Sequence, residues 1–222
     1  MGKVVIHSLI RSRRRTICLT ITENAQIVVK APFWTTMRYI EDFVNKKQRW
    51  IAKKLKDINE RPKAKTKEYE NGEEFLYLGK IYKLRIVPSH IPVQLKDELV
   101  ISTNIWPKHK EAIKLWYQKE AAKIIGERCS HFSEIMECEP TNIRISNARR
   151  RWGSCSARGK LNFSWRLVMA PMEVLDYVVV HELAHLHQLN HSRKFWAKVK
   201  SVFPDYKERQ KWLRKNEPLL SL

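Results

Sequence analysis

Between Val174 and Val180 the chain reads Val-Leu-Asp-Tyr-Val-Val-Val, and this apolar stretch runs directly into His181-Glu182-Leu183-Ala184-His185. The spacing predicts a mostly buried helix that Pro171 opens and that ends near Leu189. On such a helix, residues four apart share a face, so two imidazoles stand one turn apart with a carboxylate one step round. Leaving those groups unpartnered among valines and leucines costs roughly 2–7 kcal/mol for each one buried. A metal ion held between the two rings removes that cost. The pattern is that of a helix-borne zinc site in which His181 and His185 ligate and Glu182 reaches a water on the metal.

A catalytic site of this kind needs a third protein ligand and one open position. His191 is the candidate, separated from His185 by five residues. Leu189-Asn190 supplies the helix end, with Asn190 expected in the left-handed conformation, and Ser192 is placed to cap a following helix. The spacing HExxH-x5-H equals that of the metzincins, but Gln188 stands where their glycine would be, so the turn is made differently. His187, two residues from His185, lies off the ligand face and is read as a neighbour of the site or an exposed residue.

A second constellation is Arg149-Arg150-Arg151-Trp152-Gly153-Ser154-Cys155-Ser156. Arginines beside a glycine turn are suited to stabilising developing negative charge, which makes Arg150, Arg151 and Ser154 candidates for substrate or transition-state contacts. The competing reading is an exposed basic turn anchored by a core Trp152. Cys155 reads as a buried free thiol rather than a ligand or nucleophile. The four cysteines contain no CxxC pair, which excludes a zinc knuckle and a thioredoxin motif.

Charge narrows the class further. With 43 Lys and Arg against 23 Asp and Glu, the net charge is +20, and each side of residue 104 carries +10. The excess is spread over the fold and favours anionic partners, including nucleic acid. The run Arg11, Arg13, Arg14, Arg15 is either a solvated strand face or a polyanion contact. No stretch is long and apolar enough to span a membrane, and no secretory signal is present. A cytoplasmic protein with free thiols is expected.

Short strands are predicted at residues 3–7, 15–22 and 26–30, the last two turning at Glu23-Asn24. One long amphipathic helix follows over 36–59, then a charged linker over 60–72. Hairpins are predicted around Gly79-Lys80 and Lys96-Asp97, a long helix over 107–136 opened by Pro107, strands at 142–147 and 160–168, and two closing helices near 192–202 and 205–215. The mixed order makes the class α+β. The whole chain, 1–222, reads as one domain with a β-rich region over 1–104 and a catalytic region over 105–222.

The stretches RRRWGSCSARGKLNFSWRLVMAP and VLDYVVVHELAHLHQLNHSRKFW, the elements near Asp205 and Trp212, and the earlier RSRRRTICLTI, VVKAP and GEEFLYLGKIYKL resemble the YgjP-like metallopeptidases. The likeness runs from about Val5 to Leu213. It implies a zincin-like catalytic half, its HExxH helix packed on a small sheet, with His181, His185 and His191 holding one Zn2+ and Glu182 activating water. It implies a bacterial cytosolic protein with SprT-like proteases, which act on DNA–protein crosslinks, among its relatives. A member is described as a UTP pyrophosphatase, so two substrates follow from the resemblance: a peptide, or a nucleoside triphosphate bringing its own Mg2+. A nucleic-acid-associated protease or binding protein is the further alternative that the basic surface supports.

Overall fold

The computed structural model describes residues 4–22, 24–63 and 66–222 of an α+β chain. Glu23 of the expected turn and Lys3 of the first expected strand lie outside the described residues, as do Ala64 and Lys65 of the linker. The chain divides into two units, Met1–Pro62 and Lys63–Leu222. The division falls inside the charged 60–72 stretch and not at residue 104. The reason is packing: Phe75, Leu84, Leu99 and Ile101 belong to the same buried cluster as Ile113, Tyr117 and Trp165, so a cut at 104 would pass through one core.

The first unit holds β1 (Ser8–Ser12), β2 (Cys18–Ile21), β3 (Ile27–Pro32), α1 (Met37–Lys46) and α2 (Gln48–Asn59). Its sheet has the order β1-β3-β2, with β1 parallel and β2 antiparallel to β3. The first strand lies later than the expected 3–7, because pairing with β3 in the register Ser8↔Val28 carries it on to Ser12. Alternate residues Ile27, Val29 and Ala31 of β3 face inward and meet Ile40, Val44 and Ile51. The single helix expected over 36–59 is two helices. Lys47 (φ −98°, ψ 7°) breaks the period between them, and both apolar faces join the same small core.

The second unit begins with β4 (Glu74–Tyr77), β5 (Lys80–Val87), β6 (Val93–Leu95) and β7 (Leu99–Ser102), in the order β4-β5-β7-β6. Both expected hairpins are present. Gly79 turns the first at φ +77°, and a Cβ there would lie 2.8–3.0 Å from Pro171, so glycine lets this hairpin sit against the start of the helix that Pro171 precedes, Met172–His187. Then comes α3 (His109–Met136), whose buried stripe Ile113, Tyr117, Ala121, Ile125, Cys129 recurs every four residues. Pro107 does not open it; it precedes the helix, in a cis bond after Trp106.

The sheet that positions the site consists of β8 (Asn142–Ser146), β9 (Gly153–Cys155) and β10 (Lys160–Ser164), ordered β8-β10-β9. The strand expected over 160–168 stops at Ser164, and Trp165–Met169 continues as a 3-10 turn. Helix α4 (Met172–His187) packs on α3 and on β9, and α5 (Arg193–Val202) and α6 (Tyr206–Asn216) close against it. Arg128 of α3 clamps α4 by a two-pronged pair with Asp176, at 2.6 and 2.9 Å. Among the described residues no helix is long and apolar enough to cross a membrane.

Candidate metal centre

Helix α4 is buried along nearly its whole length, and its last two turns carry His181, Glu182 and His185 into the interior. The chain leaves the helix through Gln188, whose backbone is extended (φ −143°, ψ 104°). A negative φ suits any residue, which is the physical reason Gln188 can replace glycine here. Asn190 is not left-handed, contrary to the expectation for this turn. The turn brings His191 back over α4, and Ser192 then caps α5 by accepting from the Phe195 N–H at 3.4 Å.

One ring nitrogen from each of His181, His185 and His191 lies within 4.8 Å of the others. His181 Nε2 and His191 Nε2 are 3.1 Å apart, close to the roughly 3.3 Å of two nitrogens bound to one zinc at 2.0–2.1 Å. His185 Nδ1 is 3.0 Å from the Gln188 carbonyl oxygen. A carbonyl only accepts, so Nδ1 carries the hydrogen and Nε2 keeps its lone pair, the tautomer a metal ligand needs. His181 Nδ1 is buried without a hydrogen-bond partner. Three converging imidazole nitrogens are a donor set suited to zinc. No other group of His, Cys, Asp and Glu among the described residues converges in this way.

The surroundings of His181 and His185 favour their unprotonated forms. Burial, then the neighbouring His185 and His191, lowers the His181 pKa to about 3. Burial also lowers His185, although its bond to Gln188 opposes the shift. Fully buried Phe195 lies 4.9, 4.5 and 4.7 Å from the His181, His185 and His191 rings, and Trp196 stacks on His191 at 5.6 Å. Tyr206 stacks in turn on Trp196 at 5.1 Å. While His191 stays exposed, this aromatic wall packs on one side of the imidazoles. Its only trace in the sequence is weak, the Phe-Trp pair three and four residues after the cap.

Glu182 is 5% exposed, and burial pushes its pKa up to about 8. Its side chain lies against Gly153 of β9 so closely that a Cβ there would meet Glu182 Cγ and Oε1 at 2.5 Å. Gly153 is thus required for space beside the carboxylate, a role that its place in the sequence does not reveal. A cavity of about 250 Å3 opens beside His181 and Glu182, with Trp152 and Gly153 on one side and Gln210 and Arg214 of α6 on another. Tyr177, one turn before His181, also lines it and receives a hydrogen bond from Gln210 at 3.3 Å.

Arg150 and Arg151 are exposed, and neither they nor Ser154 line this cavity. Cys155 is only half-buried, its pKa raised by burial and by Glu182. His187 bonds the Met136 carbonyl at 3.0 Å and so ties the ends of α3 and α4 together. Of the acids near the motif, Asp176 pairs with Arg128 and Asp205 with Arg209, while Glu173 contributes only its backbone carbonyl, which accepts from Arg209 at 2.9 Å. They form no carboxylate set for Mg2+.

Residues 15–216 match the family of YgjP-like metallopeptidase domains. The chain belongs to this family. The match covers both units and every residue of the histidine trio, so a metallopeptidase-type site is the family context of this YgjP-like chain. Solved structures similar to it include the metallopeptidase zymogen of Pyrococcus abyssi abylysin, 25% identical with a TM-score of 0.38, which covers 41% of this chain and 97% of its own. The metallopeptidase zymogen of Methanocaldococcus jannaschii jannalysin is 23% identical with a TM-score of 0.37, covering 40% of this chain and 92% of its own. No curated protein matches the chain.

Proposed function

We propose that the chain is a zinc-dependent peptidase that binds an extended polypeptide along the open edge of β9. The observation carrying this reading is the convergence of three imidazoles beside a buried Glu182 that rests on that edge strand. Among the described residues strand β9 pairs only with β10. The Trp152 carbonyl accepts from the Ser164 N–H, and the Ser156 N–H donates to the Lys160 carbonyl. The antiparallel alternation therefore turns the backbone groups of Gly153 and Cys155 outward. Unpaired N–H and C=O groups of this kind accept an added strand, the mode of recognition an unfolded peptide offers and a nucleotide does not.

His181, His185 and His191 would hold the metal, which supplies Lewis-acid polarisation of the scissile carbonyl and acidifies water. The Glu182 carboxylate takes a proton from the attacking water and passes it to the leaving amine as the C–N bond breaks. In the metal-free chain burial raises the Glu182 pKa to about 8; a bound Zn2+ beside it would favour the carboxylate form that acts as the base. Phe195 and Trp196 hold the histidine rings in place by packing against them.

The test is cleavage of denatured casein by zinc-loaded protein, with Glu182→Gln as control and UTP hydrolysis measured alongside. Casein cleavage that disappears in Glu182→Gln supports the peptidase. UTP hydrolysis lost in the same variant, without casein cleavage, replaces the peptide with a nucleotide. Stoichiometric zinc with neither activity overturns both substrates.

A further inference from the structure

The unit Met1–Pro62 leaves its largest rings outside its own core. Trp34 is 70% exposed, Tyr39 62% and Phe33 59%, and none packs against the cluster of Ile27, Val29, Ile40 and Val44. Neither Trp34 nor Tyr39 has a ring partner among the described residues. They border a hollow of about 570 Å3 whose walls include Arg15, Ile17, Thr36 and Phe43 and no Asp or Glu. Exposed aromatics gathered at a hollow mark a contact surface more often than chance exposure.

The backbone that presents them is fixed. Arg11 donates to the carbonyl oxygens of Pro32, Phe33 and Thr35 at 3.1, 3.0 and 2.7 Å, tying the β3–α1 connection to β1. Thr36 then caps α1 by accepting from the Tyr39 N–H at 3.3 Å. Around this frame Arg13 and Arg15 are exposed, and Arg14 has a buried Nε without a partner. The unit carries 14 Lys and Arg against 5 Asp and Glu, so a second copy of the same surface is repelled.

A fitting ligand has flat apolar faces and a regularly repeated negative charge. Single-stranded nucleic acid has both, since each base offers a π-face and each linkage a phosphate. A duplex keeps its base faces stacked internally. We propose that this hollow binds single-stranded nucleic acid, with bases stacking on Trp34 and Tyr39 and phosphates meeting Arg13, Arg14 and Arg15. The proposal is independent of the metal centre.

The test is fluorescence anisotropy of labelled oligothymidylate and oligouridylate, each of about 15 nucleotides, titrated with the full chain across a salt series. Charge alone will give some binding at net +20, so the variants decide. Trp34→Ala/Tyr39→Ala should weaken binding about tenfold or more, with the slope of log affinity against log salt unchanged. Trp34→Phe should keep most of the affinity, which also shows that the unit remains folded. Arg13→Ala/Arg15→Ala should reduce the slope by about 0.7 for each phosphate that is no longer neutralised. Heparin, which has charge but no bases, should bind wild type and the aromatic variant equally. A preference for DNA or RNA supports the proposal either way. The aromatic variant binding oligonucleotide like wild type overturns it, as does parallel loss of oligonucleotide and heparin. Trp34-dependent binding to phosphatidylserine vesicles, tighter than to oligonucleotide, assigns the surface to a membrane instead.

Discussion

Glu182 and the histidines beside it are held in an environment that each of them, alone and in water, would leave. Burial favours the protonated Glu182 carboxyl and the neutral His181 imidazole; a bound metal would use the neutral ring as a ligand and draw Glu182 toward its carboxylate form. Two consequences separate binding from chemistry. Glu182→Gln should keep one zinc per chain by atomic absorption while peptide cleavage falls at least about 100-fold. His191→Ala should lose the zinc itself, with activity following the metal. A third consequence concerns the metal-free chain. Its Glu182 keeps a proton up to about pH 8, whereas an unfolded carboxyl releases it above 4.5. The unfolded state therefore binds fewer protons in that window, and stability falls as pH rises through it, by up to about 1.4 kcal/mol per pH unit. His181, lowered to about 3 from 6.5, acts on the acid side: stability falls as pH drops below 6.5. Urea unfolding with chelator present should show Glu182→Gln stabilised over wild type by more at pH 8 than at pH 5. An equal gap at both values would show that Glu182 is not desolvated. The trio is legible from sequence because i, i+4 spacing on one helix fixes which side chains are neighbours. The role of Gly153 is not, because its contact with Glu182 joins residues 29 apart and depends on how β9 meets α4.

At the scale of elements, the site depends on a short edge strand lying tightly against a buried helix. Gly153→Ala tests that approach. The added methyl group meets Glu182 Cγ, Cδ and Oε1, all in a side chain that can swing away. The fold should therefore survive, with a melting temperature within a few degrees of wild type, while activity drops at least about tenfold as the carboxylate moves. In a Glu182→Ala background the same substitution should cost no stability, because its clashing partner is gone. A full stability loss in that background would place the constraint on the backbone instead. The elements that sequence patterns misjudge share one cause. The helical period over 36–59 continues through Lys47, but the core of six buried residues is too small to face a straight rod of that length, so the chain bends. Strand β9 has three residues, too few to show alternation, and it exists because Phe163 and Asn162 of β10 supply its partners. Local patterns identify the long, strongly periodic helices; contacts distant in sequence set the edge strand and its approach to Glu182.

At the scale of the molecule, the chain holds two hydrophobic clusters that share no buried residue. Among the described residues, the three metal-binding candidates all lie in Lys63–Leu222. A ligand stabilises only the cooperative unit whose folded state holds its site, by about 2.7 kcal/mol at a hundredfold excess over Kd. For a body of 150–250 residues, each kcal/mol moves the melting temperature by about 2–4 °C. Calorimetry of the full chain should therefore resolve two transitions, and chelation should lower one by about 5–10 °C and leave the other in place. Core truncations assign them. Val29→Ala, at a position with no exposure in the first unit, should lower the chelator-insensitive transition. Val199→Ala, equally buried in α5 of the second unit, should lower the metal-linked one. A single transition that both truncations and chelation shift together would mean that the two cores fold as one body. Such cooperativity would extend the stabilising effect of the metal to the aromatic and basic surface of the first unit. With two separate transitions, that surface stays folded when the metal is lost, and its affinity for single strands should be the same with and without chelator.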